Sequence, residues 1–341
     1  MLKSRPLYQR PAFLASAGFA LLFLFWLLPP PPPPPPPFEE WARVCAHAPP
    51  PLSSPLLVRG SGGGGAPALA AGESRGDSPA ATFSRIYGSA LWGADGGGSG
   101  FGSTRAATAT LRAQLEMLVH RHRVVRLLDA PCGSAHWWPP LLARIRATVP
   151  CFEYVGVDVV ASVVAANAGR MGDPRTAFGA VDLSARPAAG AALASLGRFD
   201  LALCRDALQH LPLELAVNAL EALAAAAPRL VALGSYIEHG GDNEDIATGE
   251  YYQINVLKEP FNLDPARVVD ALDEASPRKT ERKWLLVFEG AYLQALDFGA
   301  MRERAGRMRA AGTTKRASPP PATGAAGRAP GRAQRAPAPR G

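Results

Sequence analysis

Four aspartates each end a short apolar run of the chain, at Asp129, Asp158, Asp182 and Asp206. The carboxyl ends of parallel strands meet at one edge of a sheet, and ligands of such sheets bind there. A single buried carboxylate is costly, so four at one edge indicate a polar, positively charged ligand that crosses this edge. We therefore expect these four side chains to line one site.

The turn after the first of these runs lacks the patterns that bind phosphates. A dinucleotide site needs Gly-x-Gly-x-x-Gly and a phosphate loop needs Gly-Lys-Ser/Thr, whereas this turn supplies only Gly133. Asp158 can accept hydrogen bonds from both ribose hydroxyls. Asp182, flanked by Val181 and Leu183, can accept one from an adenine amino group. S-adenosylmethionine, an adenosine with a cationic sulfonium and no phosphates, fits these acids, while the phosphates of NAD would be repelled.

Apolar runs alternate with helical patterns from about residue 83 onward. Strands are predicted at Val124–Asp129, Phe152–Asp158, Ala177–Asp182, Phe199–Asp206, Arg229–Tyr236 and Lys283–Glu289. Helices are predicted at Thr104–Leu118, Leu141–Ala147, Ala161–Arg170, Leu213–Ala227 and Pro265–Glu274. This alternation predicts right-handed βαβ units. The predicted fold is α/β, a doubly wound, mostly parallel, Rossmann-like sheet.

Several motifs resemble the class I S-adenosylmethionine-dependent methyltransferases, namely Asp129–Gly133, Gly156–Asp158 and Phe199–Pro212. More narrowly, the chain resembles a largely uncharacterised family of that class over about residues 86–296. The motifs that carry this resemblance are Ser99–Thr104, Asp-Ala-Pro-Cys-Gly, Tyr154–Asp158, Cys204–Leu211, Asn243–Gly249, Asn255 and Pro260-Phe261. The resemblance implies methyl transfer to an oxygen or nitrogen of an acceptor.

The resemblance also implies a set of cofactor contacts. These residues are Asp129, Gly133, Asp158, Asp182, Ser103 and Cys204. Asp129 would orient the methionine amino group, or it caps a strand end. Gly133 would let the backbone approach the cofactor, or it serves a tight turn.

The acceptor is expected beside the fourth strand end. His210 can deprotonate a hydroxyl because imidazole titrates near neutral pH, and Asp206 is the competing base. The alternative for His210 is a local hydrogen bond at a helix start. Arg205 either binds an anionic substrate or pairs with Asp206, and Asn243 and Asp245, in the loop after the fifth strand, are predicted to bind substrate.

Two features limit these expectations. The family usually has Asp-Phe where Ser134-Ala135 stand, and this departure supports the alternative of a catalytically inactive S-adenosylmethionine-binding module. The cysteines, at positions 45, 132, 151 and 204, lack the spacing of a zinc site. Because of this spacing, no metal is predicted. Four cysteines are also too few for a disulfide scaffold.

Composition divides the chain into five segments. We expect a basic cytosolic N-terminus (1–11), a transmembrane signal anchor (12–28), a Pro/Gly-rich stalk (29–82), a methyltransferase domain (83–298) and a disordered basic tail (299–341). Cations before the apolar run place the N-terminus in the cytosol. This topology predicts a single-pass membrane protein of the secretory pathway or Golgi. Its acceptor is expected to be a glycan or a small molecule.

Other topologies and partners stay open. A cleaved signal peptide and an organelle transit peptide are the alternatives to the anchor. The net charge of +7 comes from the Arg-rich tail, which is either solvated or in contact with acidic lipids or nucleic acid. Nucleic acid is an unlikely substrate on this sequence, which has no Asn-Pro-Pro-Tyr-type motif.

Overall fold

The computed structural model describes residues 38–60, 78–274 and 282–312. Its strands are β1 (Arg126–Asp129), β2 (Glu153–Asp158), β3 (Thr176–Ala180), β4 (Leu201–Cys204), β5 (Leu230–Ser235), β6 (Val268–Asp273) and β7 (Trp284–Glu289). The α-helices of the described residues are α1 (Phe38–Ala46), α2 (Pro79–Gly88), α3 (Ala109–Arg121), α4 (Trp138–Thr148), α5 (Ala161–Met171), α6 (Ala188–Ser195), α7 (Leu213–Ala225), α8 (Gly290–Gln294) and α9 (Phe298–Ala310).

The strands form one sheet in the order β3-β2-β1-β4-β5-β7-β6. Strands β1 to β5 pair in parallel, and β7 runs antiparallel to both β5 and β6. The predicted doubly wound, mostly parallel sheet is therefore confirmed. The chain reverses its winding direction between β1 and β4, and the carboxyl edge at such a switch point is where ligands bind.

Hydrophobic clusters cover both faces of the sheet, which explains why β2, β3, β4 and β5 are buried along their whole length. One cluster lies beneath α6, α7, α8 and α9. The other lies beneath α1, α3, α4 and α5 and contains the fully buried Trp138 and Phe152. Burial of each such side chain contributes about 1.5–3 kcal/mol to the stability of the fold. The two layers therefore hold the strands, and with them the strand ends, in place.

One predicted helix is wrong. The segment Pro265–Glu274 forms a short 3₁₀ turn at Pro265–Arg267 and then the strand β6. The Asp264 side chain accepts a hydrogen bond from the amide of Ala266 at 2.9 Å and caps only that turn. The β-branched pair Val268-Val269 then favours an extended backbone, which pairs with β7.

Part of the predicted stalk belongs to the domain. Helix α1 buries Trp41 and joins the rest of the protein through a disulfide between Cys45 and Cys151. Further on, Val58 and Phe178 exchange backbone hydrogen bonds of 2.7 and 3.0 Å. The expected stalk over 29–82 therefore does not describe residues 38–60, and the disulfide was not predicted.

The domain also extends past its expected end at residue 298. Helix α9 buries Phe298, Met301 and Ala305 against the core that contains α7. The basic composition of residues 299–310 predicts a disordered tail. In a helix, however, the arginines and the apolar side chains can lie on different faces, so that the apolar face packs against the core.

The predicted anchor at Ala12–Leu28 and the tail from residue 313 lie outside the described residues. Among the helices that the structure does describe, none has the length and apolarity needed to cross a bilayer.

Candidate functional site

A cavity of about 1020 Å³ opens at the carboxyl ends of β1, β2 and β4. All four predicted aspartates line it, at Asp129, Asp158, Asp182 and Asp206. The other predicted site residues that line it are Ser103, Gly133, Arg205 and His210. The expectation that the acids share one edge of the sheet is thus correct.

Asp158, at the end of β2, is held by backbone amides. Its Oδ2 accepts a hydrogen bond from the amide of Gly133 at 3.0 Å, and its Oδ1 accepts one from Val160 at 2.9 Å. The residue is only 5% exposed, and burial raises the pKa of its carboxyl to about 6. A carboxylate oxygen accepts more than one hydrogen bond, so each oxygen retains capacity for a ligand hydroxyl.

Gly133 is required by its surroundings. Its φ of +53° lies in the left-handed region. A Cβ at this position would lie 2.8 Å from Oγ of Ser99 and 3.1 Å from the hydroxyl of Tyr87. The tight turn predicted at Gly133 is therefore confirmed, and its close neighbours are Ser99 and Tyr87; the approach of its backbone to the cofactor stays a prediction.

Asp129, at the end of β1, is partly committed to the fold. Its Oδ2 accepts hydrogen bonds from Nε1 of Trp138 and from the hydroxyl of Tyr154, both at 2.7 Å. Burial raises the pKa of its carboxyl to about 7, although these two donors lower it. One oxygen therefore anchors α4 and β2, while the residue still borders the cavity.

Asp182 lies two residues beyond β3, in a turn that its own side chain stabilises. Its Oδ1 accepts hydrogen bonds from the amide and the hydroxyl of Ser184, at 2.9 and 2.7 Å. The flanking Val181 and Leu183 are buried and also line the cavity. A half-buried acid between two apolar side chains matches the site predicted for a purine.

Arg205 and Asp206 belong to a buried ion cluster with Glu274 and Lys283. The guanidinium of Arg205 contacts Asp206 at 2.9 Å and Glu274 at 2.7 Å, and it donates to the carbonyl of Gly102 at 2.9 Å. Lys283 pairs with Asp206 and, at 2.9 Å, with Glu274. Of the two roles open for Arg205, the structure shows the ion pair.

This cluster changes the expected role of Asp206. Burial alone would lower the pKa of Arg205, but the carboxylates of Asp206 and Glu274 outweigh it and raise that pKa above its usual value. Both carboxylate oxygens of Asp206 contact a cation of this cluster, Oδ2 the guanidinium of Arg205 and Oδ1 the amine of Lys283. Asp206 is therefore an ion-pair partner, and His210 is the better candidate base.

His210 is fixed by the loop that follows β5. Its Nδ1 donates to the carbonyl of Glu250 at 2.8 Å, and its own carbonyl accepts from the amide of Gly249 at 2.8 Å. Because a carbonyl only accepts, the neutral ring carries its proton on Nδ1 and presents Nε2 as a proton acceptor. The local hydrogen bond and the role as base are thus compatible.

Gly249, which donates its amide to the carbonyl of His210, lies close to Ile86 of α2, so a residue with a side chain would not fit there. Its φ is +89°, and a Cβ would lie 2.8 Å from Cδ1 of Ile86. The loop Asn243–Gly249 therefore contacts a residue of the cavity lining, His210, through its last residue.

The two residues of this loop that were predicted to bind substrate do not line the cavity. Asn243 is 1% exposed, donates to the carbonyls of Asn255 and Glu259 at 2.8 and 2.7 Å, and accepts from the amide of Asn255. Asn243 therefore closes the loop upon itself.

Asp245 and Cys204 also have structural positions. Asp245 accepts from the amide of Leu213 at 2.8 Å, at the start of α7, and pairs with Arg309 of α9 at 2.9 Å. The Cys204 side chain is 2% exposed in the hydrophobic core and does not line the cavity. The predicted contacts of these residues with substrate and cofactor are therefore not supported.

Sequence reasoning identified Ser103 and the motif Ser99–Thr104 in the layer that covers the cavity, but it missed the contribution of α2 and of residues 90–95 to that layer. The Tyr87 hydroxyl and Oγ of Ser99 lie 2.7 Å apart, and the same Oγ accepts from the amide of Ser134 at 2.9 Å. Ser134, the departure from the family pattern, therefore ties this layer to the turn at Gly133. The available signal was the glycine-rich stretch 96–100, whose glycines have positive φ.

No family model and no curated protein matches the chain. Solved structures with a similar fold include 1,6-didemethyltoxoflavin-N1-methyltransferase of Burkholderia thailandensis, with bound 1,6-didemethyltoxoflavin and S-adenosylhomocysteine. It is 17% identical, and the match covers 65% of this chain and 93% of that one, with a TM-score of 0.43.

Two further solved structures are similar to part of the chain at the same low level. Magnesium protoporphyrin IX methyltransferase of Synechocystis PCC 6803, with bound S-adenosylhomocysteine, is 15% identical over 55% of this chain and 87% of that one, with a TM-score of 0.37. Human N-acetylserotonin methyltransferase in complex with S-adenosylmethionine is 11% identical. The match covers 62% of this chain and 60% of that one, with a TM-score of 0.40. At this level of similarity, the function of this chain rests on its own residues.

Proposed function

We propose that the chain is an S-adenosylmethionine-dependent methyltransferase that acts on an oxygen or nitrogen of its acceptor. The observation that carries the proposal is the buried carboxylate of Asp158, held by two backbone amides and bordering the same cavity as Asp182 and Gly133. Membership in the uncharacterised family with the Asp-Ala-Pro-Cys-Gly and Cys-Arg-Asp motifs is part of this proposal.

The residues present fit this cofactor. Asp158 would bind the ribose hydroxyls, and Asp182, with Val181 and Leu183, would hold the adenine. A cavity of about 1020 Å³ is at the upper end of the roughly 300–1,000 Å³ of ligand sites, which leaves room for an acceptor. The described residues that line it include one arginine, Arg205, and five aspartates, at positions 95, 129, 158, 182 and 206. This excess of acidic side chains favours a cationic ligand.

When bound, the cofactor would supply an electrophilic methyl group whose sulfonium sulfur is the leaving group. The protein's contribution is to hold the reactants in line, which supplies much of the rate. His210 would accept the acceptor's proton at Nε2. A base in such a position contributes about 10²–10⁴-fold in rate.

Membrane anchoring through residues 12–28 and a site in the secretory pathway or Golgi belong to the same proposal, with a glycan as one acceptor. The disulfide between Cys45 and Cys151 supports this compartment, because structural disulfides persist in oxidising compartments and are rare in the cytosol. Alkylation of the protein isolated from cells, before and after reduction, tests whether this disulfide forms. Cys45 and Cys151 should react with the alkylating reagent only after reduction.

Calorimetric titration of the full chain with S-adenosylhomocysteine, compared with NAD, tests the cofactor. We expect binding of the first alone. Labelled S-adenosylmethionine and fractionated cell extract then test catalysis, and His210→Asn should lose transfer by at least 100-fold while it keeps cofactor affinity.

The matched control is His47→Asn, because His47 is exposed outside the cavity and its Nδ1 also bonds a carbonyl, at 2.9 Å. Lack of cofactor binding would contradict the proposal. Cofactor binding without transfer to any fraction would favour the alternative, a catalytically inactive S-adenosylmethionine-binding module.

A further inference from the structure

The acceptor side of the cavity is walled by aromatic rings around His210. The ring of Trp92 lies 4.8 Å from that of His210, tilted by 35°, and the Tyr251 ring lies 5.7 Å away on another side. Phe83 extends the row behind Trp92 at 5.9 Å. A half-buried tryptophan next to the candidate base offers a flat surface to whatever molecule presents its proton there.

The entrance beside this wall is apolar. Leu91 precedes Trp92 and is 66% exposed, which makes it one of three large hydrophobic residues exposed in the described part of the chain, and it lines the cavity. Leu91 therefore extends the apolar surface of the aromatic wall to the solvent-exposed part of the lining. Ring-shaped molecules bury such surface well because they lose little conformational freedom.

The charges around the wall disfavour an anionic acceptor. Arg205, the arginine of the cavity lining, is engaged by Asp206, Glu274 and the carbonyl of Gly102. The remaining carboxylates of the lining give the cavity a negative field. A carboxylate or phosphate on the acceptor would meet this field, and the described residues that line the cavity include no second arginine and no lysine to pair with it.

We propose, on the basis of the function proposed above, that the acceptor is an uncharged molecule that places a ring face against Trp92 and a hydroxyl at Nε2 of His210. In the transfer, the acceptor oxygen forms a bond to the methyl carbon as the carbon–sulfur bond breaks. The electron pair stays on the sulfur, and the hydroxyl proton moves to Nε2. Both a pyranose of a glycan and a phenol have this chemistry.

Two matched pairs of probes test the inference with the full chain and labelled S-adenosylmethionine. Cellotetraose and tetragalacturonic acid form the sugar pair, and 4-hydroxybenzyl alcohol and 4-hydroxybenzoate form the phenol pair. We expect the neutral member of one pair to be methylated with at least a tenfold higher kcat/KM than its anionic partner. The pair that responds identifies the source of the ring.

The variant Trp92→Ala should lower kcat/KM for that probe by about tenfold, in line with the loss of an aromatic contact, and leave the affinity for S-adenosylhomocysteine unchanged. Trp92→Phe keeps a ring and should retain most of the activity. Met117→Ala, an exposed apolar residue on α3 away from the cavity, is the control and should behave as the wild type.

Three results would overturn the inference while cofactor binding persists: preference for the anionic probes, unchanged turnover in Trp92→Ala, or methylation of none of the four probes. Failure to bind S-adenosylhomocysteine would instead refute the proposed function. The two failures are therefore distinguishable in one series of measurements.

Discussion

Replacing Asp158 with asparagine should stabilise the ligand-free protein and weaken cofactor binding at the same time. Burial raises the pKa of this carboxyl from 3.8 to about 6. The folded state thus holds the proton more tightly than the unfolded chain, and stability falls as the pH rises from about 4 to about 6. Above that range the ionised group costs the fold about 3 kcal/mol.

Asparagine removes this cost but introduces a smaller one. Its Nδ2 replaces an oxygen that accepts from the amide of Gly133 or Val160, and a buried donor left without an acceptor costs about 1–3 kcal/mol. The net gain at pH 8 is therefore about 0–2 kcal/mol, which at about 2–4 °C per kcal/mol for a domain of this size raises Tm by up to several degrees. Near pH 4 the wild-type carboxyl is protonated in the folded state, so only the cost of the asparagine remains and the variant should be less stable than wild type by about 1–3 kcal/mol.

Affinity should change in the opposite direction. Hydrogen bonds to a charged group contribute about 1.5–3 kcal/mol each, so the loss of the charge opposite the ribose should raise Kd for S-adenosylhomocysteine by about 10–100-fold. Thermal unfolding at pH 4 and 8 and calorimetric titration measure the two effects. Glu303→Gln, an exposed acid on α9 outside the cavity, is the control. A variant that is less stable than wild type at pH 8, or one with unchanged affinity, would refute the reasoning.

Three other substitutions test the remaining contacts. Gly133→Ala places a Cβ 2.8 Å from Oγ of Ser99 at a φ of +53°, so it should weaken cofactor binding at least tenfold in calorimetry; unchanged Kd would show that the turn is adaptable. Asn243→Ala removes three hydrogen bonds of the loop and should lower Tm without changing acceptor KM, whereas a raised KM at unchanged Tm would restore the predicted role in substrate binding. Paired replacement of Cys45 and Cys151 by serine opens a link of sequence separation 106 and should cost about 2–4 kcal/mol in denaturant unfolding; wild-type stability would argue that the bond does not form.

The main features of the sheet were predictable because buried parallel strands have a strong signature. Runs such as residues 154–157 are apolar and lead directly to an acid, Asp158, and this pattern is recognisable without knowledge of any neighbouring strand. Strand β6 was missed because Asp270 interrupts its apolar pattern. That buried carboxylate is bound by Arg121, the last residue of α3, and by His122, which follows the helix, at 2.6 and 2.9 Å. This is a tertiary contact that no local pattern reveals.

The acidic edge of the cavity was predictable for the same reason, since Asp129 and Asp158 end β1 and β2 and Asp182 follows β3 by two residues. Polar type alone misassigned Asn243 and Asp245, because a buried amide or carboxylate that satisfies backbone groups has the same composition as one that binds a ligand. The covering residues Tyr87 and Trp92 lie outside the strands, in a segment whose path over the cavity depends on the folded domain.

The disulfide between Cys45 and Cys151 has a topological consequence. It closes a covalent ring that contains α2 and β1, and with them Tyr87, Asp129 and Gly133 of the cavity, while Asp158 lies outside the ring. Hydrolysis of any one peptide bond between the two cysteines would leave the fragments joined. A protease acting there would therefore nick the protein without releasing it from its N-terminal segment until the bond is reduced.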